Sequence, residues 1–572
     1  MKIPYGESDF KKIRTGDYLY IDKTRYIQKL EEQGSFNILL RPRRFGKSLF
    51  LSTLRYYYDI SYKDDFEVLF GGLFAGENPT PLRNSYQVLA FDFSGIATDD
   101  AETIRRNFTS RVENCLLAFL EQYNYGQDAA EEIRTKESPQ EKIDSLFRVC
   151  SRQKLYLLID EYDHFANAIL GNSLELFTRI VGKGGFVRAF YETIKIATGQ
   201  GAVDRLFITG VTSITLDSMT SGFNIGKNLS FEKAFNQSMG FTHDETMLAV
   251  QPLADLCEFD AQKITEDIAQ WYNGYQFSSR AEEKIFNPDM VLYYIDRFNI
   301  EDCCPPEQML DGNIASDYGK IMQLFSIGDP EANFRILEEL IVHGQIMGQH
   351  KHKLDPDVNK PFERDDFISL LLYMGFITIS GRVLDQLRYN VPNHVISRLY
   401  FQYFKKEIEQ RAQINLDSRL LAEAVRQLAL HNNIAPLTEE ISKVLALFSN
   451  RDFMRMDEKH IKAVILTLLY QSEIYFIRSE AEVNNRYPDI LLLERSPFEV
   501  PNQFLFELKF CKKKDGKKGW EQKKEEGVRQ VLEYLELKDV RCLDKLKAYL
   551  LLTDGTKIEA VPFKGANYVT MV

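Results

Sequence analysis

Phe36-Asn37-Ile38-Leu39-Leu40-Arg41-Pro42-Arg43-Arg44-Phe45-Gly46-Lys47-Ser48 runs an apolar segment into a glycine, a lysine and a hydroxyl, and LFLSTLRYYYD (49–59) follows at once. The stretch reads as a buried strand, a tight loop and a helix, the setting in which a phosphate-binding loop works. In that setting the backbone of Arg43, Arg44, Phe45 and Gly46 offers N–H groups to the β- and γ-phosphates at a helix N-terminus. Lys47 meets phosphate charge and Ser48 ligates magnesium. Arg41 departs from the pattern G-x-x-x-x-G-K-[ST], which has glycine at its first position; a loop with fewer glycines has fewer permitted conformations. Working outward, QVLAFDF (87–93), KLYLLIDEYD (154–163) and RLFITGVTSI (205–214) are short apolar runs separated by helical segments, among them a long polar helix from about Asp99 to Gln122. Such spacing predicts a parallel sheet covered on both faces. The second of these runs ends in two carboxylates. Asp160 is placed to hold magnesium through water, and Glu161 to orient or deprotonate the water that attacks the γ-phosphate. The third ends in hydroxyls, and Ser213 is a candidate γ-phosphate sensor.

The chain has 572 residues, 44% hydrophobic and 12% aromatic, which is more than one core accommodates, so two to four packed units are expected. Its net charge of −12 excludes a protein that coats nucleic acid over its whole surface. Any such contact must be local. Two basic concentrations qualify: Arg41, Arg43 and Arg44, and a lysine run from Lys509 through Lys512, Lys513, Lys514, Lys517, Lys518 and Lys523 to Lys524. The seven cysteines are scattered, without a CxxC pair, so neither a zinc site nor a disulfide framework is expected. There is no apolar run of membrane-spanning length and no leader pattern at Met1, which predicts a cytoplasmic protein without a membrane partner.

The pattern divides into an α/β segment (1–241), a region of amphipathic helices with few strand signals (242–450) and a last segment (451–572) ordered α-β-β-β-α-β. In that last segment a helix, EKHIKAVILTLLYQS (458–472), precedes three strand-like runs, a helix at GVRQVLEYLE (527–536) and a strand at LKAYLLLTDG (546–555). Residues 1 to about 240 resemble the AAA-ATPase-like family of bacterial proteins through IPYGESDF (3–10), YIDKT (20–24), RPRRFGKSLFLSTL (41–54), LIDEYD (158–163), FITGVTSI (207–214) and DSMTSGFNIGKNLS (217–230). WYNGYQFS (271–278) and KIFNPDMVLYYI (284–295) extend the likeness to about Phe298. The resemblance implies a P-loop NTPase sheet with nucleotide binding and hydrolysis, ATP as the ligand, and RPRRFGKS as the usual form of the loop, so that Arg41 is at home. It leaves an arginine finger open between Arg188, Arg205 and others.

Tyr487-Pro488-Asp489-Ile490 and Phe506-Glu507-Leu508-Lys509 lie on neighbouring strand-like runs. Alternation puts Glu507 and Lys509 on one face, and pairing of the two runs brings Asp489 to it. Two carboxylates and the Leu508 carbonyl form an oxygen site for Mg²⁺ or Mn²⁺, with Lys509 beside the attacking water. Residues 457 to 552 resemble the PD-(D/E)XK nuclease superfamily, and Gln530 with Tyr534 matches the QxxxY helix of its RecB-like branch. The resemblance implies a restriction-endonuclease-like α/β fold, phosphodiester cleavage and a supporting role for Gln530 at the catalytic centre. Glu473, Glu480 and Glu482 are further acid candidates, with Glu480 preferred. His460 stands where related nucleases carry a histidine, and Trp520 is a candidate for base stacking. The resulting expectation is an ATP-binding, ATP-hydrolysing protein with a metal-dependent nuclease unit that acts on nucleic acid, DNA ahead of RNA, under nucleotide control, with a homo-oligomer allowed. The alternative is a nucleotide-dependent switch or scaffold whose nuclease-like unit binds without cutting.

Overall fold

In the computed structural model the described residues are 2–170, 173–219, 223–312, 324–351, 354, 363–448, 457–479 and 488–563. The chain packs as two compact units. One comprises Met1–Ile300, Met309–Arg335 and Gln345–Val395, the other Glu301–Gln308, Ile336–Gly344 and Ile396–Val572. The expected boundaries at 241/242 and 450/451 therefore do not fall between the units, and the region 242–450 is shared by both. Sequence periodicity reports which face of an element is buried, not against which unit, so this division was hidden.

The first unit is built on a parallel sheet of β1 (Phe36–Leu40), β2 (Gln87–Asp92), β3 (Leu155–Asp160), β4 (Val203–Gly210) and β5 (Lys227–Asn228), in the order β2-β3-β4-β1-β5. β3 is buried at every position, as a strand covered on both faces must be, and its Leu and Ile side chains supply the apolar surface. β4 separates the strand that leads into the phosphate loop from the strand that ends in acids. At about 4.8 Å per strand step, their carboxyl ends lie roughly 10 Å apart along one edge, which is where an open parallel sheet binds ligands. Beneath the loop helix (Lys47–Tyr58), Tyr57 and Tyr58 are fully buried, and Tyr58 packs 4.7 Å from Tyr156 of β3. The middle region is largely helical, as its periodicity indicates, but it also contributes an antiparallel sheet of β6 (Gln345–Gly348), β7 (Thr378–Val383) and β8 (Gln386–Asn390), in the order β6-β8-β7. These strands are short, and β7 and β8 are mostly polar, so they carry little strand signal.

The second unit holds β9 (Tyr475–Ser479), β10 (Ile490–Glu494), β11 (Gln503–Phe510), β12 (Leu546–Thr553) and β13 (Ile558–Phe563), in the order β13-β12-β11-β10-β9. Only the β11–β12 pair is parallel. A parallel pair needs a long crossover, here provided by the helix Gly516–Leu535, which buries Val531 and Tyr534 on Leu505 and Leu550. Gly527 permits its close approach, because a Cβ there would collide with Leu550 and come within 3.0 Å of Lys509 Cγ. Five of the cysteines are free thiols, whereas Cys257 and Cys303 are disulfide-bonded, a feature their scatter did not suggest. Among the described residues no helix is long and apolar enough to cross a membrane.

Candidate active sites

The phosphate loop begins where β1 ends and is anchored by the residue that looked out of place. Arg41 is 1% exposed; its guanidinium donates to the carbonyls of Leu40, Ser230 and Phe235 at 2.8, 2.7 and 2.6 Å and lies 4.2 Å from the Phe277 ring. It ties the loop to the chain around residues 230–235 and is not available to a ligand, which removes it from the basic concentration expected at the surface. Phe45 is the second anchor, edge-on to Tyr275 at 4.9 Å and to Phe277 at 5.5 Å. With these two fixed, the backbone turns through left-handed conformations at Arg44 and Gly46, and the helix opens at Lys47. The Arg44 side chain pairs with Asp289 at 3.0 Å.

At this edge of the sheet the predicted residues meet. Lys47, 4% exposed, has its ammonium 3.2 Å from the Pro42 carbonyl and 3.4 Å from Glu161 Oε1. Glu161 sits at φ 47, its N–H donating to Asp160 Oδ1 at 2.9 Å, and His164 Nδ1 lies 3.4 Å from its other oxygen. Burial alone would raise the Glu161 pKa, but Lys47, then His164 and Arg43, overrule it and bring it down to about 2. Asp160 moves the other way, to about 6, because burial outweighs its hydrogen bond with Ser48, while Glu161 and Asp92 add negative charge. One strand tip thus carries one acid whose pKa is lowered and one whose pKa is raised, the second hydrogen-bonded to the loop hydroxyl of Ser48. A hard divalent cation at Ser48 and Asp160 fits this pair, since it would restore the charge that burial suppresses.

Two cavities flank the loop and share Ser8, Arg44, Ser48 and Glu161. One, of 340 Å³, has largely apolar walls that include Pro4, Leu19, Phe50, Met239, Phe241 and Leu292. The other, of 660 Å³, is lined by Asp92, Asp160 and Glu161 together with Arg43, Arg55, Arg111 and His164. Asp92, Arg55, Arg111 and His164 went unnoticed in the sequence. Asp92 ends the strand beside β3, in register with Asp160, so an acid at the end of the preceding strand was the available signal. The arginines lie on helices whose faces sequence periodicity does not orient.

Ser213 is not placed as a sensor: its hydroxyl donates to Asp217 Oδ2 at 2.6 Å, and neither cavity includes it. Asp163, the last residue of the DEYD word, organises this end of β4 instead. It is fully buried and accepts from Val211 N at 3.1 Å, Thr212 N at 2.6 Å, Thr212 Oγ1 at 3.0 Å and Asn167 Nδ2 at 2.6 Å. Neither arginine named for a finger lies at the cavities; Arg188 pairs with Glu192 at 2.8 Å, and Arg205 is on the opening half of β4.

In the second unit, β10 and β11 pair antiparallel with Ile490 opposite Phe506, which sets Asp489 beside Glu507 and Leu508. Asp489 Oδ2 accepts from Leu508 N at 2.9 Å, and Lys509 Nζ lies 2.7 Å from Glu507 Oε1 and 3.1 Å from the Leu508 carbonyl. Glu507 and Lys509 are 2% and 5% exposed. Burial first, and the Asp489 charge second, push the Glu507 carboxyl upward against the pull of Lys509. Two residues not singled out for this site join it from the helix Glu458–Leu469: Glu458 accepts from Phe510 N at 3.0 Å, and Lys462 Nζ lies 3.6 Å from Asp489 Oδ1. Among the described residues no group of three or more His, Cys, Asp and Glu side chains is gathered for a metal. A carboxylate pair still suits Mg²⁺ or Mn²⁺, which bind through one or two carboxylates and keep several waters. Glu507 Oε2 and Gln530 Oε1 are buried without a hydrogen-bond partner among the described residues, as groups awaiting a ligand would be.

The other candidates sort out plainly. Glu473 is taken by Arg398 and Arg495, and His460 by Asp457 at 2.6 Å and Glu338 at 3.3 Å, so neither reaches the carboxylate pair. Tyr534 packs in the core, 7% exposed. Glu480, Glu482 and Tyr487 lie outside the described residues. Lys512, Lys513, Lys514, Lys517 and Lys518 are exposed on the turn and helix after β11, while Lys523 pairs with Glu526 and Lys524 with Glu559. Trp520 is half-buried within that run.

The fold and the two clusters set a P-loop-type site in the first unit and a carboxylate–lysine site in the second. Residues 4–220 match the family model of a predicted AAA-ATPase, and residues 456–561 match that of the PD-(D/E)XK nuclease superfamily. An uncharacterized protein in the vnfD 5′ region of Azotobacter chroococcum mcd 1 is 30% identical over 302 residues, 52% of this chain and 52% of its own length. The match thus spans about half of that relative. Among solved structures, the Walker-type ATPase PABY2304 of Pyrococcus abyssi aligns at 12% identity over 66% of this chain and 94% of its own, with a TM-score of 0.37. The Orc1 protein of Aeropyrum pernix, solved in complex with DNA, aligns at 13% identity over 68% and 96%, with a TM-score of 0.24.

Proposed function

We propose that the chain binds and hydrolyses ATP at the Lys47 loop and, in its second unit, cleaves nucleic-acid phosphodiesters with a divalent metal, the first activity controlling the second. The observation that carries the reading is the side-by-side placement of Asp489, Glu507 and Lys509. An acid pair whose buried member, Glu507, has one carboxylate oxygen unbonded among the described residues and a lysine against the other has little purpose in a scaffold. In the first unit the apolar cavity accepts a nucleobase, and Lys47 leaves Glu161 for the β- and γ-phosphates. Glu161, ionised across the physiological range, then holds and orients the attacking water. Magnesium bound at Ser48 and Asp160 supplies charge neutralisation of the phosphates. In the second unit Lys509 keeps a water beside the scissile phosphate, and Gln530 faces the substrate. Mg²⁺ or Mn²⁺ at Asp489 and Glu507 supplies Lewis acidity and a more acidic bound water.

The exposed lysines after β11 give an acidic protein one local patch for a phosphate backbone, with DNA ahead of RNA as substrate. The cytoplasm is the compartment proposed for this activity. The test is incubation of the full chain with plasmid, single-stranded DNA and RNA, with and without ATP and Mg²⁺. The reading expects metal-dependent cleavage that Glu507→Ala abolishes and ATP turnover that Lys47→Ala abolishes. Equal products from wild type and Glu507→Ala would leave the switch or scaffold as the better account.

A further inference from the structure

Lys462 has no task in the preceding account. It lies one turn after Glu458 on the helix Glu458–Leu469, is 3% exposed, and directs its ammonium to Asp489 Oδ1 at 3.6 Å. An ammonium is costly to bury unless it neutralises a buried charge, and the charge it meets here belongs to a residue placed to hold the metal. In two-metal hydrolases a pair of divalent ions about 3.5–4 Å apart share carboxylates and clamp the phosphate from both sides. The described residues leave little room for such a pair. Asp489 Oδ2 is engaged by Leu508 N, Asp489 Oδ1 faces Lys462, and Glu507 Oε1 faces Lys509, so that Glu507 Oε2 has no hydrogen-bond partner among the described residues. Glu458, Asp489 and Glu507 are set against two ammonium groups, since Lys509 also lies 3.9 Å from Glu458. One divalent ion brings this set close to balance with a phosphate, whereas a second would leave a large excess of positive charge.

We propose that this unit works with a single divalent ion and that the Lys462 ammonium, which neutralises Asp489, supplies the charge that a second ion would otherwise bring. The proposal rests on the reading of Asp489 and Glu507 as metal ligands. Its test is calorimetric titration of the nucleotide-free full chain with Mn²⁺, using Glu507→Gln as the blank for metal bound elsewhere, together with the Mg²⁺ dependence of cleavage. The expected result is a difference of one Mn²⁺ per chain and a Hill slope near one. Lys462→Met should lower cleavage at low Mg²⁺ by roughly 10–100-fold, recover as Mg²⁺ rises, and steepen the slope toward two, whereas Lys462→Arg should keep the slope of one. A wild-type difference of two Mn²⁺, or a Lys462→Met variant with unchanged rate and slope, overturns the proposal. If Lys462→Met does not fold, the wild-type count and the Lys462→Arg slope still decide. A wild type that binds one Mn²⁺ but cleaves neither DNA nor RNA would end the nuclease reading and leave the ion count standing.

Discussion

Glu161 is held by the Lys47 ammonium at 3.4 Å and the His164 ring at 3.4 Å, in a backbone conformation that few non-glycine residues adopt. The strain is tolerated because the carboxylate is fixed at both ends. Replacing it with glutamine preserves the shape and removes the charge, so Glu161→Gln should still bind ATP while turnover falls by about 10²–10⁴-fold. Equilibrium binding of a fluorescent ATP analogue, set beside phosphate release, checks both halves. Asp163 gives a contrasting forecast. Asp163→Ala would strip the Val211 and Thr212 backbone amides and the Asn167 side-chain amide of their shared acceptor, while the Thr212 hydroxyl keeps Asn167 Oδ1 at 2.8 Å. Each buried donor left unpaired costs about 1–3 kcal/mol, so the loss should exceed about 3 kcal/mol. Urea denaturation would register it as a lowered midpoint, and a midpoint equal to wild type would show that Asp163 does not clamp the end of β4.

The helix Glu458–Leu469 carries two different jobs, one on each of two faces. Glu458 and Lys462, one turn apart, meet Phe510 N at the end of β11 and Asp489 just before β10, while His460 bonds to Asp457 and Glu338. Glu338 first, and Asp457 next, raise the His460 pKa above its usual value, against the opposing effect of burial. A histidine whose folded pKa is raised stabilises the fold fully below its unfolded value, about 6.5, and loses that contribution as pH climbs through the folded value. His460→Gln should therefore be less stable than wild type by roughly 1–2 kcal/mol near pH 5.5, and the gap should close by about pH 9. Paired melting curves across that range measure it; a gap independent of pH would assign His460 to packing alone. This helix also marks the limit of what the sequence reveals. Its amphipathic pattern was legible, as were the strand ending in Asp160, the strand that follows Asp489 and the ELK run, because apolar period and terminal charge are local signals. Glu458, Lys462, Asp92 and Arg111 were not legible, since they reach their sites through packing between elements distant in the chain. The strands β6, β7 and β8 escaped because strands this short, two of them mostly polar, carry no alternation strong enough to compete with helical neighbours.

At the scale of the whole chain, the two sites lie in separate units that the polypeptide joins at Ile300/Glu301, Gln308/Met309, Arg335/Ile336, Gly344/Gln345 and Val395/Ile396. If nucleotide state biases the nuclease unit, linkage requires the effect to be reciprocal: the factor by which ATP changes nucleic-acid affinity must equal the factor by which nucleic acid changes ATP affinity. Coupling of about 1–3 kcal/mol makes that factor roughly 5–150. The measurement needs both reactions stopped while both ligands still bind, which Glu161→Gln combined with Glu507→Gln is chosen to achieve. Titrating ATP with and without a single-stranded oligonucleotide, then the oligonucleotide with and without ATP, yields the two factors from independent signals. Equal factors above one establish gating through one shared conformational equilibrium. Factors of one in both directions would separate the ATPase from the nuclease and reduce their union to tethering. Unequal factors would mean that a further equilibrium, such as self-association driven by one ligand, enters the cycle, and repeating the titrations over a range of protein concentrations would expose it.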